Sequence, residues 1–270
     1  FRKDATDRNR TSPFAFTGNK FEFRMVGSND SIAPPNVVLN AMVAEAFSDA
    51  CDILEKADNF EEAVHDLIKE QASAHQRIVF NGNGYSDEWI AEAERRGLPN
   101  IKNMVDAVPA LTTEKSIALF EKFNVFTEAE LVSRGEILYE NYAKAINIEA
   151  RTMIDMAGKQ IIPAVIKFTT ALANSINSVK AACDADISTQ TDLLKEVSAL
   201  LAEAKEALVK LSEVTAKGGT MGEGREQAIF FRDEVKTAMD QLRAPIDKLE
   251  MIVDKEMWPM PSYGDLIFEV

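Results

Sequence analysis

Leu193-Leu194-Lys195-Glu196-Val197-Ser198-Ala199-Leu200-Leu201-Ala202-Glu203-Ala204-Lys205-Glu206-Ala207-Leu208-Val209-Lys210-Leu211-Ser212-Glu213-Val214 decides the fold of this chain. Leu193, Val197, Leu200, Ala204, Ala207, Leu211 and Val214 step by four and three alternately, the seam of a heptad repeat. Leu194, Leu201 and Leu208 recur every seven residues beside it and widen the stripe to what an antiparallel bundle needs. A helix over 187–216 is about 45 Å long at ~1.5 Å per residue. The reading is a mainly α protein: a long antiparallel helical bundle plus short helices, preceded by a short β/loop segment.

Outward from this stretch, helices are expected over 128–182 and 224–257. Gly218-Gly219 and Gly222-Glu223-Gly224 form the hinge to the last one, and Pro163 and Pro245 should kink helices or mark boundaries. Met153, Met156, Met239 and Met251 read as core or seam residues. Upstream, Pro34-Pro35-Asn36 starts a helix that Asp58-Asn59 ends, and a second runs from Phe60 to about Val79. Asn81-Gly82-Asn83-Gly84-Tyr85 is a loop. Ser86 caps a short helix closed by Gly97-Leu98-Pro99, and Thr113 and Thr127 cap those that follow. Trp258 to Val270 starts with two prolines and is apolar, so it should dock as an extended segment. The expected divisions are 1–33, 34–126, 127–257 and 258–270.

Composition narrows the classes. The 270 residues are 46% hydrophobic, enough for one or two domains. No apolar run approaches the ~20 residues of a membrane span, and no secretion signal is visible. The net charge of −14 argues against nucleic acid as the main partner. Cys51 and Cys183, far apart in helical patterns, read as buried free thiols of a reducing compartment, here the cytoplasm. A carboxylate-bridged di-metal bundle needs paired Glu-x-x-His motifs, and Glu62-Ala63-Val64-His65 stands alone. His65 and His75 read as surface or structural residues.

Residues 1–24 differ from all this. They hold Arg2, Lys3, Arg8, Arg10, Lys20 and Arg24 against Asp4, Asp7 and Glu22, a net of +3 that leaves −17 for the rest. Lys20 to Arg24 alternates strictly, with Phe21 and Phe23 on one side and Lys20, Glu22 and Arg24 on the other: the period of a half-buried strand. Gly18-Asn19 is a turn signal, making the head a hairpin or a loop entering a sheet. A carboxylate is a hard ligand for Mg²⁺ or Mn²⁺, and arginine grips carboxylate or phosphate with two parallel hydrogen bonds. A strand with charges on its wet face is the plainer alternative; Arg8 and Arg10 just upstream favour an anion site.

Asn9-Arg10-Thr11-Ser12, then Lys20-Phe21-Glu22-Phe23-Arg24 and a Pro-Asn-initiated helix, resembles the C-terminal part of the glutamine synthetase catalytic domain. Asn83-Gly84-Tyr85-Ser86 with Trp89, and Tyr263-Gly264-Asp265-Leu266-Ile267-Phe268, resemble the type III branch of that family, the long bacterial form. The resemblance implies ATP-dependent ligation of ammonia to glutamate. Arg10 is similar to the arginine that stabilises the transferring phosphate, Glu22 to a ligand of the divalent metal, and Arg24 to the arginine that holds glutamate or its phosphorylated form. Lys20 stands where other branches have an arginine near the nucleotide. Those branches also carry an arginine where this chain has Pro13-Phe14-Ala15-Phe16. The remaining ligands lie, by the same resemblance, upstream and on neighbouring subunits of a homo-oligomer. The chain is thus expected to be the C-terminal part of a larger polypeptide, inactive alone. The competing expectation is a helical scaffold or oligomerisation module without chemistry.

Overall fold

The computed structural model describes residues 31–80, 83–84 and 86–268, and the backbone of 14–16 and 21–23. Strands β1 (Phe14–Phe16) and β2 (Phe21–Phe23) pair antiparallel. The rest of the described structure is helical, and the chain divides into two units, Phe1–Leu131 and Val132–Val270.

In the first unit, helix α1 (Ala33–Leu54) starts with Pro in its first turn, where the missing N–H costs nothing. Helix α2 (Phe60–Ala74) is capped by Asn59, whose side chain accepts from the Glu62 N–H at 3.4 Å and donates to the Glu62 carboxylate at 3.3 Å. It stops five residues short of Val79. The Ser73 hydroxyl donates to the Lys69 carbonyl at 2.7 Å, a bond that competes with the helical ladder, and a tight turn over Gln76–Ile78 follows. Helix α3 (Asp87–Arg95) has Ser86 as its cap. It ends with Gly97 at φ 69°, where the N–H of Gly97 reaches the Glu94 carbonyl and that of Leu98 the Ala93 carbonyl. Asn124, at φ 52°, ends a later helix by the same pair of bonds.

Helix α4 (Met104–Ala107) runs into a tight turn over Val108–Thr112 and then α5 (Glu114–Lys122), capped by Thr113. Buried Ala41, Phe120 and Leu131 form a small core with Val37, Ile117 and Phe126. Thr127 starts α6 (Glu128–Met156) with a reciprocal cap: its hydroxyl accepts from the Glu130 N–H, and the Glu130 carboxylate accepts from the Thr127 N–H at 2.8 Å.

The second unit is a bundle whose spine is α8 (Ser188–Gly218). The expected single helix over 128–182 is α6, a widened π turn over Ala157–Ile161, and α7 (Ile162–Ala182). Pro163 explains the widening. It has no N–H for the Lys159 carbonyl and its ring would strike that carbonyl in a regular helix. The last arm is α9 (Arg225–Phe230), a second π turn over Phe231–Val235, and α10 (Lys236–Glu250). Pro245 lies buried inside α10 without ending it. That arm stops at Glu250 instead of 257, because the N–H groups of Ile252 and Val253 both turn back to the Leu249 carbonyl.

Two apolar clusters stack along α8. Ala143, Ile146 and Ala150 of α6 meet Leu208, Leu211 and Val214, with Phe231, Val235 and Leu242 on the third side. Further along, Ile161, Val165 and Phe168 meet Val197, Leu200 and Ala204, closed by Leu249 and Val253.

Several expectations are corrected here. The seam shifts by one residue at its middle: Leu208 is buried and Ala207 flanks it, since a straight helix of 3.6 residues per turn drifts ~20° per heptad against a 3.5 repeat. Met239 is buried, but Met251, just past α10, is 85% exposed. Cys51 and Cys183 are exposed, not buried. Cys183 sits where α7 ends in extended backbone, and Cys51 lies at an exposed position of α1. The tail is not extended throughout. Trp258 and Met260 pack on the second cluster, and helix α11 (Tyr263–Phe268) follows with Tyr263 and Phe268 exposed. Asp265 fixes its start, accepting from the Ser262 N–H at 2.7 Å and pairing with Lys255 at 2.8 Å.

Candidate functional site

Of the hairpin and the loop entering a sheet expected for the head, the backbone shows paired antiparallel strands, with Phe14 opposite Phe23, Ala15 opposite Glu22 and Phe16 opposite Phe21. The alternation from Lys20 to Arg24 drives this, because period two suits a strand and not a helix. Glu22 is the central residue of β2. Arg10, Lys20 and Arg24 lie outside the described residues, as do Asn81, Gly82 and Tyr85 of the later loop.

Among the described residues, no group of three or more His, Cys, Asp or Glu is placed to hold a metal ion. His65 is exposed, its Nδ1 3.6 Å from Asp66 Oδ1. His75 ends α2 with its Nε2 3.1 Å from Gln71 Oε1. Glu62, the acid of the lone Glu-x-x-His, accepts from the Asn59 side chain at the helix cap.

Two features of the first unit escaped the sequence. One is a knot around Trp89. Its ring stacks on Phe80 with centroids 4.2 Å apart, and the Arg96 guanidinium lies 5.6 Å from its centre. Arg96 donates to the Val79 carbonyl at 2.7 Å and to the Glu92 carboxylate at 2.5 Å, while Arg95 binds the same carboxylate at 2.6 Å. The hydrogen bonds from the two arginines hold the Glu92 carboxyl at about 2, well below its ordinary value. The Glu92, Arg95 and Arg96 spacing was legible as helical neighbours, whereas the reach to Val79 belongs to the tertiary fold. The knot holds the two ends of the 79–86 loop together.

The other is a cleft of about 790 Å³ between α1, α2 and α5, floored by apolar side chains such as Met42, Ala50, Leu67 and Leu119. At its edge Lys122 pairs with Glu45 at 2.6 Å. That bond, with Asp49 and Asp52 nearby, raises the ammonium's pKa above its ordinary value.

Residues 63–180 match the family model of the glutamine synthetase C-terminal domain. The match falls on the helices from α2 to α7, outside the head. Full-chain comparisons cover the head as well. The chain is 40% identical over its whole length to a glutamine synthetase of Butyrivibrio fibrisolvens, covering 39% of that protein. It is 34% identical to a glutamine synthetase of Bacteroides fragilis, over 98% of this chain and 38% of the relative. The chain thus spans less than two fifths of the length of the curated relatives it matches. It is similar to the glutamine synthetase C-terminal domain over residues 63–180 and to glutamine synthetases along its length. A type-3 glutamine synthetase of Dictyostelium discoideum matches at 39% identity over 98% of this chain and 37% of the relative. That is the branch which the 83–89 and 263–268 motifs resemble.

Proposed function

We propose that this chain is the C-terminal part of a ligase that joins ammonia to glutamate at the expense of ATP, and that it supplies one wall of the active site. The observation that carries the reading is that three relatives named glutamine synthetase align across 98–100% of the chain, head included. In this reading a γ-carboxylate oxygen of glutamate attacks the terminal phosphorus of ATP and ADP departs. Ammonia then attacks the acyl carbon, phosphate leaves with the carbon–oxygen bond, and a proton is lost to give the amide.

Arg10 meets the charge on the transferring phosphoryl group, with Lys20 beside the nucleotide. Arg24 holds glutamate and its phosphorylated form by a two-pronged contact. Glu22 offers hard carboxylate oxygens, which fit one ligand position on Mg²⁺ or Mn²⁺. In this reading the other ligands come from elsewhere in the assembled protein. When bound, the cation neutralises phosphate charge and orients the reacting groups. We further place the protein in the cytoplasm as a homo-oligomer; none of the described helices is long and apolar enough to cross a membrane.

In a polypeptide of the relatives' full length, Glu22→Ala should lower metal-dependent glutamine formation at least about a hundredfold. Retained turnover sinks the ligand assignment. The 270-residue chain given ATP, glutamate, ammonia and Mg²⁺ should form no glutamine, and formation would refute the claim that it is inactive alone. The second unit, with its own continuous core, supports an added assembly role. Deleting roughly 128–257 from the full polypeptide should change its mass in solution, and unchanged assembly counts against that role.

A further inference from the structure

Helix α1 is apolar around most of its circumference. At 100° per residue, Leu39, Met42, Val43, Ala44, Ala46, Phe47, Ala50, Cys51, Ile53 and Leu54 occupy an arc of about 200°, interrupted by Asn40, with the charges of Glu45, Asp49 and Asp52 gathered on the opposite side. A helix of this composition belongs inside a protein. Here the most shielded side is the one that carries Val37, Val38 and Ala41. The one buried residue of α1 is Ala41, on the charged side, and no residue of the apolar arc is buried. Phe47 is 68% exposed, Met42 54% and Ile53 48%. One flank of the arc lines the cleft against α2 and α5. The other flank is the stripe Val43, Phe47, Cys51 and Leu54, in which Phe47 and Cys51 are exposed and Val43 and Leu54 half-buried.

The matched relatives are glutamine synthetases in which this chain accounts for only 37–39% of the length, so most of their polypeptide is not represented here. We propose that the stripe Val43–Phe47–Cys51–Leu54 of α1 is an interface with that remaining polypeptide of the same protein, which lays an apolar surface on it and makes α1 an interior helix. The inference rests on reading this chain as a portion of a larger ligase. Full burial of a phenylalanine side chain is among the larger single contributions to a core, and Phe47, 68% exposed, has that contribution still to make.

The chain carries its own probe and its own control. Cys51 lies in the stripe and Cys183 lies in the second unit, and both are exposed here. Maleimide labelling, read peptide by peptide by mass spectrometry, should modify the two thiols of the 270-residue chain at rates within about threefold of each other. In the full-length polypeptide Cys51 should react at least tenfold more slowly than Cys183, at every protein concentration. Equal rates in the full-length polypeptide overturn the proposal. Protection already present in the 270-residue chain also overturns it: if it fades on dilution a second copy is the cover, and if it does not the cover lies within this chain. The outcome is separable from the catalytic reading. An active full-length enzyme with a freely reacting Cys51 sinks the interface alone. Turnover surviving Glu22→Ala, with Cys51 still protected, sinks the site assignment alone.

Discussion

The two units of this chain use similar helices to opposite effect. In the second unit, three arms place their apolar stripes against one another, and Val165, Val197, Leu211, Val235, Leu242 and Leu249 are wholly shielded from solvent. In the first, neither α2 nor α3 buries a single residue, and Phe47, Phe60 and Ile78 stand more than half exposed. The difference is not one of hydrophobic content, since α1 is more apolar than α8. It is one of partnership: a stripe stabilises only when another stripe removes it from water. The second unit carries its partners within itself. The first is held chiefly by local devices, namely caps, helix-ending turns and the Trp89 knot.

The sharpest way to break this contrast is to truncate one side chain in each unit. Leu242→Ala should cost about 3 kcal/mol of stability, while Phe47→Ala in the same 270-residue chain should change it by less than about 0.5 kcal/mol, both read by urea denaturation. Comparable losses would mean that α1 is covered after all. In the full-length polypeptide, the proposed interface moves Phe47→Ala toward the larger figure.

Gly218→Ala tests how tightly the second unit is closed. A β-carbon there would lie 3.0 Å from two ring atoms of Phe231, at the π turn where the last arm meets α8. The expected cost is about 2 kcal/mol by the same measurement, from forced displacement of the ring. A neutral result would show a looser core than the packing implies.

Local devices in the first unit should give smaller, confined effects. Ser86→Ala removes the acceptor for the Trp89 N–H and should weaken α3 by about 1 kcal/mol, read as faster hydrogen exchange at the Trp89 amide with α8 unchanged. Exchange that rises throughout the chain would show the two units to be coupled.

Acid provides the least intrusive test. The Glu92 carboxyl ordinarily titrates near 4.5 and is held at about 2 in the fold by Arg95 and Arg96. Its folded value is depressed, so its stabilising contribution is present above about 4.5 and is lost as pH falls through that window to about 2. Fluorescence of Trp89, with Trp258 replaced by Phe, should change over that window, and Glu92→Gln should remove the change. The readout has to be local, because Asp265 in the second unit is also held at about 2, first by Lys255 and then by Ser262.

Reading order from residues worked where the physics is local. Ser86, Thr113 and Thr127 announce helix starts because a short polar side chain satisfies an N–H only one turn away. Pro163 announces a defect because its ring constrains the turn that precedes it. The alternation through Glu22 announces a strand, and β2 forms there. The chemistry assigned to Arg10, Lys20, Glu22 and Arg24 came from resemblance, because strand period states which side chains share a side and not what they bind.

By itself, then, the sequence determined that this is a mainly helical protein with a bundle at its C-terminal half and a short β segment at its head. Periodicity and capping act over one or two turns and are written residue by residue. Only the tertiary structure decided that the seam passes through Leu208 instead of Ala207, that Arg96 reaches the Val79 carbonyl, and that α1 buries Ala41 and leaves Phe47 and Cys51 exposed. Each of those depends on which surfaces meet in three dimensions, and a pattern along one chain specifies that a surface needs a partner without specifying where the partner is.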